Sequence, residues 1–108
     1  IDYYGNVHEI DAYAEQCAYQ LIELYHNADK IVEMLSKEDT SLQQNSIYRK
    51  YYTLFALMSK YTGKLNDKDM KKYKIQSRNI WKRFKRRLYQ FIKSDINSIY
   101  LTKEYKDE

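Results

Sequence analysis

The sequence predicts an all-α protein, with three long helices in an antiparallel bundle making one domain of 108 residues. Apolar side chains recur at alternating steps of three and four along almost the whole chain, the period of a helix face. There is no Pro and there are only two Gly, so few residues interrupt a helix. No stretch keeps the strict alternation of a half-buried strand. A 44% hydrophobic, 16% aromatic composition is enough for a core. The mean hydropathy of −0.85, with no run of about 18 apolar residues, argues against a membrane span.

The first helix is expected over residues 7–37. Asn6 followed by Glu9 has the logic of a capping box, with the Asn oxygen taking a free amide of the first turn. Ile10, Ala14, Cys17, Leu21, Leu24, Ala28, Ile31 and Leu35 then form a seam. Val7, Ala18, Ile22, Tyr25 and Val32 widen it, so the helix faces more than one neighbour. Such a rod would be about 45 Å long, with Asn27 and Asp29 as weak helix formers that mark a bend.

The polar run Lys37-Glu38-Asp39-Thr40 ends that helix, and Ser41 with Gln44 offers the next start. A second helix is expected over 42–62, with Ile47, Tyr51, Leu54, Met58 and Tyr61 as its seam and Phe55 beside it. Gly63, after Lys60, reads as its left-handed C-terminal residue. Asn66 with Asp69 opens a third helix over 67–100, carrying Met70, Tyr73, Ser77, Ile80, Trp81, Phe84, Leu88, Phe91, Ile92, Ile96 and Ile99. Ser77 is where it could break, and 101–108 reads as a frayed tail.

Charge is divided unevenly. Residues 1–47 hold nine Asp or Glu against Lys30 and Lys37, a balance of −7. Residues 48–108 hold seventeen Lys or Arg against six acids, a balance of +11. Either the acidic helix pairs with the basic ones inside the fold, or a basic face is offered to an external anion.

The run Trp81-Lys82-Arg83-Phe84-Lys85-Arg86-Arg87-Leu88-Tyr89 is the strongest local signal. On a helix, Trp81, Phe84, Leu88 and Phe91 point inward and Lys82, Lys85, Arg86 and Tyr89 outward, while Arg83 and Arg87 stack one turn apart. Lys71, Lys72, Lys74 and Arg78 extend the basic surface backward. These nine bases are the candidate site, fit for phosphates or for an acidic protein surface. The same charges would also suit a membrane surface, or simply solvate a helix. Tyr48, Tyr51 and Tyr52, with Arg49 and Lys50 between them, form a second basic-aromatic cluster in which Tyr51 belongs to the seam and Tyr48 and Tyr52 alone could stack on bases. Core and boundary packing is the favoured reading.

Other constellations point to structure before chemistry. His8, Glu9, Asp11 and Glu15 lie near a helix start, where acids suit the dipole, and two ligands seldom hold zinc. Cys17 falls in the apolar seam, and as the single cysteine it excludes an internal disulfide. That suits a reducing compartment. With no Gly-rich phosphate loop, paired-His helix or nucleophile elbow, no cofactor and no enzymatic site is expected. The chain opens on Ile rather than Met, as a processed product or part of a longer protein would.

The segment Tyr3-Tyr4-Gly5-Asn6-Val7-His8-Glu9-Ile10-Asp11-Ala12-Tyr13-Ala14 resembles the opening of a group of small phage-encoded helical proteins, with Val7 where that pattern has Pro. Ile47-Tyr48-Arg49-Lys50-Tyr51-Tyr52 and the Trp81 to Tyr89 run are similar to later parts of the same group. The resemblance implies a viral origin, and with it a host cytoplasm or a virion as the expected location. In some of those proteins the pattern follows a zincin-like His-Glu-x-x-His helix, and Glu9 would stand at the third ligand. This sequence has no His-Glu-x-x-His. The expectation is therefore a non-enzymatic viral or phage-type structural or binding protein, with a basic third helix that engages nucleic acid or an acidic protein surface. An assembly role would make it a homo- or hetero-oligomer. The alternative is the C-terminal helical part of a zinc-dependent hydrolase.

Overall fold

The computed structural model describes residues 6–60 and 67–95. Among them the chain is all-α, with four α-helices where the sequence predicts three rods: α1 (Val7–Tyr25), α2 (Ala28–Ser36), α3 (Ser46–Lys60) and α4 (Asp67–Gln90). A 3-10 segment, Thr40–Gln44, precedes α3, and a π-turn, Phe91–Asp95, follows α4.

α1 starts where expected. Asn6 Oδ1 accepts from the amides of His8 at 2.9 Å and Glu9 at 3.2 Å, relieving two of the free amides of the first turn. The single rod over 7–37 is not formed. His26 turns left-handed at φ 54° and returns its amide to the Ile22 carbonyl, and Asn27, extended, caps α2 through the Lys30 amide. An Asn at this point offers the backbone a cap in place of another helical turn. The seam shifts with the break: Ile10, Ala14, Cys17, Leu21, Ile31 and Leu35 are buried, but Leu24 is 65% exposed.

The expected start at Ser41 is likewise displaced. Asp39 caps the 3-10 segment through the Ser41 amide, and Leu42 plugs the core at 0% exposure. α3 begins after Asn45, whose Oδ1 accepts from the amides of Ile47 and Tyr48, both at 3.0 Å. The same oxygen receives the Cys17 thiol at 3.4 Å, and Asn45 Nδ2 donates to Gln20 Oε1 at 2.8 Å. One side chain thus starts α3 and fastens it to α1. The Gly63 cap, the Asn66 start, Tyr61, Ile96, Ile99 and the tail lie outside the described residues.

α3 and α4 meet through rings. Tyr51 stacks on Phe84 with centroids 4.4 Å apart, Tyr48 meets Trp81 edge-on at 5.3 Å, and Phe55 lies on Trp81 at 5.9 Å. Pairs of this kind add about 0.5–1.5 kcal/mol to their area burial. Tyr48 and Tyr52 take the favoured core and boundary places: Tyr48 is buried, and Tyr52 is half-buried edge-on to Trp81.

α4 does not break at Ser77. Its hydroxyl donates to the Lys74 carbonyl at 3.0 Å, so a buried polar residue is satisfied within its own helix. The α-helix stops instead at Gln90. The π-turn adds a residue to the last turn, so that Ile92 is fully buried and Phe91 only half-buried.

The numbering shows which part of α4 the bundle covers. Asp11, near the start of α1, lies against Arg83 and Arg87. Between Lys68 and Arg78 only Ser77 is buried, whereas Ile80, Trp81, Phe84, Leu88 and Ile92 all enter the core. The first half of α4 is thus covered less than the second, with Asp69, Met70, Tyr73 and Gln76 half-buried and Lys71, Lys72, Lys74, Ile75 and Arg78 exposed.

Candidate anion-binding face

α4 carries ten Lys or Arg against Asp67 and Asp69, and its fate depends on what the acidic half of the chain reaches. Arg83 donates to both Asp11 oxygens, from Nε at 3.1 Å and Nη2 at 2.9 Å. Arg87 Nε stands 3.5 Å from the same carboxylate, while its Nη1 donates to Gln90 and its guanidinium covers the Phe91 ring at 4.8 Å. Lys85 reaches Glu38 at 3.2 Å and caps the Trp81 face at 5.0 Å. The expected outward placing of Lys85 is thus corrected: it is half-buried, its stem drawn over the indole by packing and cation–π attraction.

Of the nine candidate bases, Arg83, Lys85 and Arg87 are engaged inside the fold. Lys71, Lys72, Lys74, Arg78, Lys82 and Arg86 are exposed and make no ion pair among the described residues. The acidic half masks the end of the basic run and leaves the rest uncovered. Glu33, one of its outer acids, is paired locally with Lys37 at 2.7 Å, which holds its carboxyl below the usual range.

Two shallow depressions accompany these charges. Met70, Lys71, Lys74, Ile75 and Arg78 line one of about 400 Å³ on α4. Ser46, Arg49, Lys50, Thr53, Leu54 and Leu57 line another of about 450 Å³ on α3. Ile75 and Leu57 were not singled out by periodicity, because each lies on the polar side of its helix; they are 40% and 64% exposed. Lys50, noted only as a charge among tyrosines, extends its ammonium to 5.9 Å over Tyr13.

The remaining candidates play structural parts. Cys17 is buried, and desolvation pushes its thiol up to about 12, so at neutral pH it is no nucleophile. His26 closes α1, Glu9 is half-buried in its first turn, and Asp11 is taken by arginines. No group of three His, Cys, Asp or Glu side chains gathers as a metal site among the described residues. No described helix is long and apolar enough to cross a membrane. Comparisons with family models, curated proteins and solved structures gave no match.

Proposed function

We propose that this chain is a non-enzymatic helical binding module of viral or phage type whose basic α4 engages nucleic acid. The observation that carries the reading is the unneutralised set Lys71, Lys72, Lys74, Arg78, Lys82 and Arg86, exposed in a chain whose other half is acidic. Unpaired cations displayed along one helix suit a phosphate backbone, where each contact releases condensed counterions. An acidic protein surface is the weaker fit. Lys is depleted from protein–protein interface cores, and buried aromatic anchors usually dominate their energy. Four of these six bases are Lys, and the large apolar side chains exposed on α4 are Ile75 and Tyr89.

The test is a fluorescence anisotropy titration of labelled nucleic acid between 50 and 200 mM salt. Binding should weaken steeply with salt, and replacing Lys71 and Arg78 by Glu should weaken it further at every salt concentration. Undetectable binding at the lowest salt refutes the reading, and an acidic peptide held more tightly than nucleic acid would replace it.

A further inference from the structure

Resting on that reading, we infer that the nucleic acid α4 takes is a B-form DNA duplex, with the exposed cationic face of the helix, from Lys68 to Arg86, lying in the major groove. The cations of α4 fall in two rows. At about 100° per residue, Lys71, Lys74 and Arg78 cluster along one flank, and Lys68, Lys72 and Arg86 along another roughly 100° away. Ile75 and Lys82 lie on the ridge between them. All of these side chains are exposed. A helix with its side chains is about 10–12 Å across, and the major groove is about 12 Å wide. Each row therefore faces one of the two phosphate backbones that border the groove.

Access follows from the fold. The bundle buries α4 from Ile80 onward, and Ser77 is the one buried residue between Lys68 and Arg78. The segment with the densest cations is the segment of α4 that the bundle covers least. Both acids of α4, Asp67 and Asp69, precede that segment's exposed ridge in sequence.

The other nucleic acids fit less well. Binding of single strands draws on bases stacked against accessible rings. Trp81 and Phe84 are buried, Tyr73 is half-buried, and the exposed Tyr89 has the Lys93 ammonium 5.5 Å over its ring. Double-stranded RNA presents a deep, narrow major groove that excludes side chains. Ile75 and Lys82 form the ridge, and Asn79 is the one exposed amide between Lys72 and Arg86 on their row, so phosphate-facing cations outnumber the groups that can read a base edge. Binding should therefore depend on groove shape and charge, with little preference for sequence.

The experiment compares a 20-base-pair DNA duplex, its single strand and the matching RNA duplex at three salt concentrations. The DNA duplex should bind at least tenfold more tightly than the other two. Lys74→Gln with Arg78→Gln disables one flank, and Lys72→Gln with Arg86→Gln the other. Each pair should lower affinity and reduce the log–log salt slope by about 2, since each phosphate contact contributes about 0.9. Circular dichroism confirms that both exposed pairs leave the fold intact. Equal affinity for single strand or RNA duplex overturns the groove assignment while nucleic-acid binding stands, as does one silent flank. Absence of binding to all three at the lowest salt removes both.

Discussion

The Asp11 carboxylate holds the Arg83 guanidinium by two hydrogen bonds, at 3.1 and 2.9 Å, across 72 residues of sequence. With Arg87 at 3.5 Å from the same group, one acid near the start of α1 engages two arginines of the basic helix, offsetting one of their two charges, and fixes α1 against α4. The Asp11 and Arg83 side chains are 27% and 31% exposed, so the pair is neither dry nor fully screened. Such charge-assisted, bidentate geometry is stronger than an ordinary surface pair.

Replacing Asp11 by Ala should therefore have two opposite effects. Stability should fall by about 1–3 kcal/mol, the cost of breaking hydrogen bonds to charged groups. Affinity for polyanions should rise, because Arg83 and Arg87 are released. Urea midpoints and DNA titrations at matched salt measure both. Lower stability with unchanged affinity would mean that these arginines cannot reach the ligand.

Asn45 supplies a second test of how the core is tied together. It caps α3 through two amides and joins α1 through Cys17 and Gln20. Asn45→Ala should cost about 2 kcal/mol, toward the upper end of helix-cap losses. Asn45→Ser keeps a capping oxygen and should recover about half of that. Equal urea midpoints for the two variants would show that the cap is not the source of the loss.

The contrast between Asn6 and Asn45 shows what could be read from the sequence. Asn6 acts locally, three residues before Glu9, and its cap follows from spacing alone. Asn45 acts partly through Cys17 and Gln20, 28 and 25 residues earlier, a relation no local period contains. The buried faces of Ile10 to Leu21 and of Ile80 to Leu88 were legible because a helix repeats every 3.6 residues. The division of the cations was not: Arg83 and Arg86 look alike in sequence, and only the approach of Asp11 separates them. Asn27 was legible as a weak point, but whether a weak point bends or breaks a helix depends on what the core gains by turning.

That break is itself testable. His26 occupies the left-handed region at φ 54°, which costs a residue with a Cβ roughly 1 kcal/mol. His26→Gly should raise the urea midpoint or leave it unchanged, as relief of the backbone offsets the added freedom of the unfolded chain. Asn27→Ala removes the oxygen that accepts from the Lys30 amide at 3.0 Å and should cost about 1 kcal/mol. A marked loss in His26→Gly would mean that the imidazole, and not the turn geometry, holds the junction.

High pH should weaken the fold through its buried weak acids. Burial, partly offset by a backbone hydrogen bond from Tyr48, raises the Cys17 thiol from 9.0 to about 12. Burial, followed by the nearby charge of Glu38, raises the Tyr48 phenol from 10.0 to about 12. Above pH 9 the unfolded chain loses the Cys17 proton while the folded chain keeps it. The unfolded state then binds fewer protons, and stability falls as pH rises. The slope approaches about 1.4 kcal/mol per pH unit for one such group and steepens above pH 10 when Tyr48 joins. Urea unfolding at pH 8, 9, 10 and 11 should show a plateau followed by this decline. Cys17→Ala should lower stability at pH 8, because the thiol fills core volume and donates to Asn45. The same substitution should flatten the curve between pH 9 and 10 and leave only the Tyr48 share, about 1.4 kcal/mol per pH unit, of the fall above pH 10. An unaltered slope between pH 9 and 10 in that variant would show that the thiol ionises as readily in the folded protein as in the unfolded chain.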